Sequence, residues 1–81
     1  MAKLRLFASI REAAGTGATN VVGDTVGEVL DAAVAQFGGD QSRFAAVLHE
    51  CNVWCNGVPA ALSDPVAETD EIALLPPVSG G

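Results

Sequence analysis

Gly80 and Gly81 close the chain after Leu74-Leu75-Pro76-Pro77-Val78-Ser79, and the group they deliver is an α-carboxylate with no side chain close to it. With an ordinary pKa near ~3.5 that carboxylate is an anion at neutral pH, and a poor electrophile until something activates it. Pro76 and Pro77 donate no ladder hydrogen bond and favour an extended backbone, so they end the apolar run before them and point the tail away from the body. The six residues after Leu75 can project up to ~20 Å. Without a Cβ, Gly80 and Gly81 fit a channel too narrow for any side chain, at an ordering cost that a partner has to offset. A frayed terminus has a similar composition; the stiff approach to the two glycines is what argues for reach.

His49, Cys51 and Cys55 are the other side chains with reactive potential. On one strand the two cysteines would have Cα atoms about 13 Å apart, beyond disulfide reach, so both are expected as free thiols. The three residues lack the paired spacing of zinc sites, and a small buried hydrophobe is the expected role of Cys55. His49 is expected as a solvated helix-end residue. No metal site is expected. Nor does the sequence hold a P-loop or a nucleophile–histidine–acid set, so the chain is expected to be no enzyme on its own and to bind no cofactor.

The 81 residues suit one small domain, and a 49% hydrophobic content with few aromatics predicts an aliphatic core. The division expected is a folded body over 1–75 and a tail over 76–81. A net charge of −6 is the wrong sign for neutralising phosphates, which excludes nucleic acid as the expected partner. No apolar run is long enough to span a bilayer, and Met1-Ala2-Lys3-Leu4-Arg5 lacks the long apolar segment of a signal peptide. A cytoplasmic location is the expectation.

The elements that must position the tail follow from periodicity. Lys3 to Phe7 alternates, with Leu4 and Leu6 on one face, and reads as a strand. Ser9 with Glu12 has the spacing of a capping box for a brief helix closed by Gly15, and Ala18 to Val22 reads as a returning strand. Thr25 with Glu28 is a second capping box. It opens a helix whose Val26, Val29, Leu30, Ala33 and Phe37 form one apolar stripe before Gly38-Gly39 stops it. A shorter helix is expected within Asp40 to Leu48. Cys51 to Asn56 alternates and runs into Asn56-Gly57, a strong hairpin-turn signal, with a short partner over Val58 to Ala60. Glu71 to Leu75 is the last strand. This order predicts an α+β domain, a mixed sheet with one main helix packed across one face: the β-grasp, or ubiquitin-like, arrangement with an extended Gly-Gly tail.

Three segments carry a family resemblance: Leu6-Phe7-Ala8-Ser9-Ile10-Arg11-Glu12-Ala13-Ala14-Gly15-Thr16, Val53-Trp54-Cys55-Asn56-Gly57, and Asp70 through Gly81. Together they resemble the small subunit of molybdopterin synthase, a ubiquitin-like sulfur carrier, over essentially the whole chain. The Gly-Gly end is common to such carriers; the first segment joined to Pro-Pro-Val-Ser-Gly-Gly is more specific. Trp54 and Cys55 stand where smaller or β-branched residues are expected. The resemblance implies that the Gly81 carboxylate is adenylated with ATP by a ubiquitin-activating-type adenylyltransferase and converted to a thiocarboxylate by a sulfur donor protein. It implies further that Pro76, Pro77, Val78, Ser79 and Gly80 thread into the large synthase subunit of a heterotetramer, where sulfur passes to cyclic pyranopterin monophosphate. A carrier serving thiamine thiazole, cysteine or tRNA thiolation shares the tail and fold. So does a modifier that forms isopeptide bonds with lysines of its targets.

Strand parity gives a docking surface without the family. If the helix stripe covers the face of Leu4, Leu6, Val53, Cys55, Ile72 and Leu74, then Phe7, Trp54 and Leu75 point to the opposite, open face. Three large apolar side chains there predict a partner-binding surface, with Arg11 and Lys3 as polar rim contacts. Scattered surface hydrophobes are the alternative.

Overall fold

The computed structural model describes residues 1–77. Five strands and three helices follow one another as β1 (Ala2–Leu6), α1 (Ala8–Ala14), β2 (Ala18–Val21), α2 (Val26–Gln36), α3 (Arg43–Leu48), β3 (Asn52–Cys55), β4 (Val58–Pro59) and β5 (Glu71–Leu75). They build one mixed sheet in the order β2-β1-β5-β3-β4, with β5 parallel to β1 and antiparallel to β3. First and last strands therefore lie side by side in its centre, and the architecture is the expected β-grasp.

Alternation decides which face is covered. Register places Leu4 opposite Ile72, Leu6 opposite Leu74, Val53 opposite Leu74 and Cys55 opposite Ile72, so these six residues share a face. Leu4, Leu6, Ile72 and Leu74 are fully buried there, joined by Val26, Val29, Leu30 and Ala33 of α2. The cover is broader than one helix. Ile10 of α1 and Phe44 of α3 are also fully buried, and the Phe44 ring meets Phe37 at 4.8 Å between centroids.

Local signals explain the ends of the elements. The Thr25 hydroxyl accepts from the Glu28 N–H at 3.2 Å, while the Glu28 carboxylate reaches back to the Asp24 N–H at 3.0 Å. That is the capping box shifted by one donor. The box expected at Ser9 and Glu12 does not form: α1 begins at Ala8, two residues earlier than a Ser9 cap implies, with Phe7 in the cap position and no side-chain cap. Ser9 is thus already inside the first turn, past the point where its hydroxyl could serve as cap. α3 is capped instead by Ser42, whose Oγ accepts from the Ala45 N–H at 3.1 Å. Asn56 (φ 51°) and Gly57 (φ 86°) take the two left-handed positions of the β3–β4 turn, which Asn and Gly tolerate best.

Candidate functional site

The segment of interest leaves from the middle of the sheet. β5 is flanked by β1 and β3 along its length, and its last residue, Leu75, lies opposite Asn52. Pro76 and Pro77 follow at once and cannot extend the ladder. Val78, Ser79, Gly80 and Gly81 lie outside the described residues.

Around that exit the face turned away from the helices collects several of the residues picked out by parity. Trp54 stands in register with Ala73 on one side and Pro59 on the other, two small side chains, and is partly exposed. Leu75 lies two residues beyond Ala73 on the same face and is half-buried. Phe7 keeps an extended backbone (φ −129°, ψ 154°) just past Leu6, at the register position of Leu75, and is 38% exposed. These three are the large apolar side chains of this face around the exit. Lys3 and Glu71 oppose each other at its far end.

Arg5 was not among the residues singled out from the sequence, yet it sits between the two regions. Its guanidinium carbon lies 5.8 Å from the Phe7 ring centroid, and Nη1 lies 3.8 Å from Oε1 of Glu71. The alternation that places Lys3 and Phe7 on the open face places Arg5 there too, so the signal was present. Arg11 stands apart from this group. Its side chain lies over Gly17 and lines a shallow cleft of about 430 Å³ with Ala8, Glu12, Gly15 and Thr16. It does not join Trp54 and Leu75.

The cysteines are free thiols with little nucleophilic character. Burial, then the nearby Glu50 carboxylate, pushes Cys51 up to about 11. Its thiol donates to the Val47 carbonyl at 3.4 Å. Burial raises Cys55 as well, with Asp70 and Asp64 adding to the shift. Among the described residues no three His, Cys, Asp or Glu side chains are grouped to hold a metal ion, and His49 is exposed at the end of α3. No helix among them is long and apolar enough to cross a membrane. What remains for chemistry is an exit segment beside a partly apolar sheet face.

Comparison with known proteins agrees in fold and length. The family model described as the ThiS family matches residues 4–81. Small archaeal modifier protein 1 of Haloferax volcanii is 44% identical over 84 residues, covering 95% of this chain and 97% of the relative. A crystal structure of that protein superposes with a TM-score of 0.78 at 41% identity, covering 99% of this chain and 98% of the other. The molybdopterin synthase sulfur carrier subunit of Escherichia coli (strain K12) is 31% identical, each chain being covered completely. A complex of subunits 1 and 2 of the molybdopterin-converting factor from Helicobacter pylori 26695 contains a chain with a TM-score of 0.70 at 26% identity, covering 99% of this chain and 97% of that one.

Proposed function

Since the chain belongs to the ThiS family of ubiquitin-like sulfur carriers and modifiers, we propose that its working atom is the α-carboxyl carbon of Gly81 and that its sulfur is destined for molybdopterin. The observation that carries this reading is the position of β5, a central strand that ends at Leu75 and is followed at once by Pro76-Pro77 beside the open sheet face. The chain supplies the carboxyl group, the segment 76–81 that delivers it, and the surface formed by Phe7, Trp54 and Leu75 on which a partner docks. A ubiquitin-activating-type adenylyltransferase supplies the ATP site. There the carboxylate attacks the α-phosphorus of ATP and expels pyrophosphate, which turns an inert anion into an acyl-adenylate. Sulfur at the sulfide level, from a donor protein, displaces AMP and leaves a thiocarboxylate. In the large synthase subunit that thiocarboxylate is the nucleophile toward the pterin precursor, and the chain leaves with its carboxylate restored by water. The Escherichia coli relative, named a sulfur carrier subunit of molybdopterin synthase, supports this destination.

A second reading is favoured by the 44% identical relative, which is named a modifier. There the same acyl-adenylate passes to a lysine amine of another protein. Activation is common to both readings; the acceptor differs.

One experiment tests both. The chain is incubated with its activating enzyme, ATP and a sulfur donor, and intact mass is measured alongside the mass of higher conjugates. The carrier reading expects one oxygen of the terminus replaced by sulfur; the modifier reading expects the terminus in amide linkage to larger proteins. Deleting Gly81, or making Gly80→Val, should abolish either product while leaving the thermal midpoint of the domain in place. Sulfur acquired by a chain lacking Gly81 would refute the assignment of the reacting carbon.

A further inference from the structure

The two edges of the sheet are built differently. β4 is two residues long and ends in Pro59, a combination that blunts a strand edge against further pairing. β2 has neither device. It runs Ala18-Thr19-Asn20-Val21 without proline, charge or bulge, and is paired on one side alone, to β1. Residues 13–23 contain no charged side chain in a chain of net charge −6.

Register shows what this edge offers. The Leu6 N–H donates to the Gly17 carbonyl at 3.0 Å, and β1 and β2 are antiparallel with Leu4 opposite Thr19 and Ala2 opposite Val21. Hydrogen-bonded pairs alternate along an antiparallel ladder, so Gly17, Thr19 and Val21 turn their backbone groups toward β1. Ala18, Asn20 and Val22 turn theirs outward. All three are exposed; Ala18 and Asn20 are small or polar, Val22 is apolar, and by the alternation they share the face opposite the helices. The outward groups are also symmetric about Asn20. Val22 is 62% exposed and Met1, its neighbour by the same register, is 63% exposed, so apolar surface lies beside the open edge.

We propose that β2 is a self-association edge, on which a second copy of this chain pairs antiparallel about a two-fold axis at Asn20. In that register Asn20 faces its own copy and Ala18 faces Val22 in both directions. The outward N–H and C=O of Asn20 and Val22 then find partners, and those of Ala18 exchange the Thr16 hydroxyl, which accepts from the Ala18 N–H at 3.5 Å and donates to its C=O at 3.1 Å, for the second copy, six backbone hydrogen bonds in all by the geometry of an antiparallel ladder. A second copy is the fitting occupant because the contact is neutral where two acidic chains must approach, and because the donor–acceptor pattern repeats itself under the two-fold axis. The dimer is reversible. Two four-residue edges bury far less than the ~1,600 Å² of a standard stable interface. The open face would run continuously across both copies, leaving Trp54 and Leu75 uncovered, so the inference is independent of the activity proposed above.

The test is sedimentation equilibrium of the full chain across a wide concentration range, together with amide hydrogen exchange at low and high concentration. A concentration-dependent dimer is expected, in which the Ala18, Asn20 and Val22 amides become protected while those of Thr19 and Val21 are protected throughout. Asn20→Lys should return the chain to monomer by placing two like charges opposite each other, and Asn20→Pro should do the same by removing an outward donor that β1 does not use. Far-ultraviolet circular dichroism checks that both variants are folded. In an Asn20→Cys variant lacking the native cysteines, oxidation should give a 20–20 disulfide dimer, a readout that does not depend on the variants weakening anything. A chain that stays monomeric at the highest concentration would overturn the proposal. A dimer unchanged in Asn20→Lys, or protection of the β2 edge seen with another protein and never with a second copy, would overturn it equally.

Discussion

Asn56 and Asp70 tie the β3–β4 turn to the loop before β5. The Asn56 amide donates from Nδ2 to Oδ1 of Asp70 at 2.9 Å, while its Oδ1 accepts from the Glu71 N–H at 2.9 Å. The other Asp70 oxygen accepts from the Ala67 N–H at 2.8 Å. One amide and one carboxylate thus hold the end of β3 against the start of β5. Asn56→Asp should destabilise the domain at neutral pH, because a donor is replaced by a carboxylate facing a carboxylate. Urea unfolding measures it, and the deficit should shrink as the pH is lowered and one of the two acids protonates.

The same contacts hold the Asp70 carboxyl below its ordinary value of 3.8, the Ala67 N–H first and the Asn56 amide second. A depressed folded-state value means that the unfolded chain binds the proton more readily. The contribution of Asp70 is therefore complete above pH 3.8 and lost as the pH falls through the lower folded value. Asp70→Asn should flatten this part of the stability profile. A profile identical in parent and variant would exclude Asp70 as its source.

Cys51, pushed from 9.0 to about 11, should be a sluggish thiol. Two units correspond to roughly a hundredfold smaller thiolate fraction at neutral pH, so alkylation by iodoacetamide should be slower than that of free cysteine by about that factor. The sign for stability is opposite to that of Asp70: the contribution is whole below pH 9.0 and disappears as the pH rises toward 11. Peptide mapping after timed alkylation, repeated in urea, separates burial from intrinsic reactivity.

On the proposed function, Trp54→Ala and Leu75→Asp should weaken docking of an activating enzyme or a large synthase subunit at least tenfold, about 1.4 kcal/mol or more. Both side chains lie on the face opposite the helices, and the stability of the isolated domain should fall less than its affinity. Titration calorimetry against each partner, with thermal unfolding of the free variants, distinguishes an interface residue from a packing one.

Phe44→Ala is the contrasting case. Phe44 is fully buried against Phe37 and under α1, and its truncation should cost about 3–5 kcal/mol, a large share of the stability of a domain this small. Loss of the cooperative unfolding transition at ambient temperature would agree with that cost; a change under 1 kcal/mol would contradict the core described here.

Most of this fold was legible because its signals were local. Leu4, Leu6, Ile72 and Leu74 announce strands by alternation, Thr25 with Glu28 announces a helix start, and Asn56-Gly57 announces a turn. The first helix was misread at its cap. Ser9 has the right spacing to Glu12, but only the path of the chain out of β1 decides where the helix begins, and it begins at Ala8. Ser42 as the cap of α3 was missed for a similar reason, since the residues from Asp40 to Ser42 carry no capping partner three positions on. Of the open face, parity supplied Phe7, Trp54 and Leu75. Alternation also puts Arg5 beside Phe7, but the pairing of Arg5 with Glu71 depends on the parallel register of β1 with β5, which strand patterns alone do not define. Arg11 shows the converse: close to Phe7 in sequence, it lies over Gly17.

The parallel pairing of β1 with β5 also sets a clock on biosynthesis. Lys3 must find Glu71, nearly the full length of the chain away, before the sheet has a centre. A ribosome that has released only the residues up to α3 has made helices and one hairpin with nothing to pack between β1 and β3. Closure of that gap is non-local and correspondingly late. The exit after Leu75 is consequently in its sheet-centred position only in a chain that has finished folding.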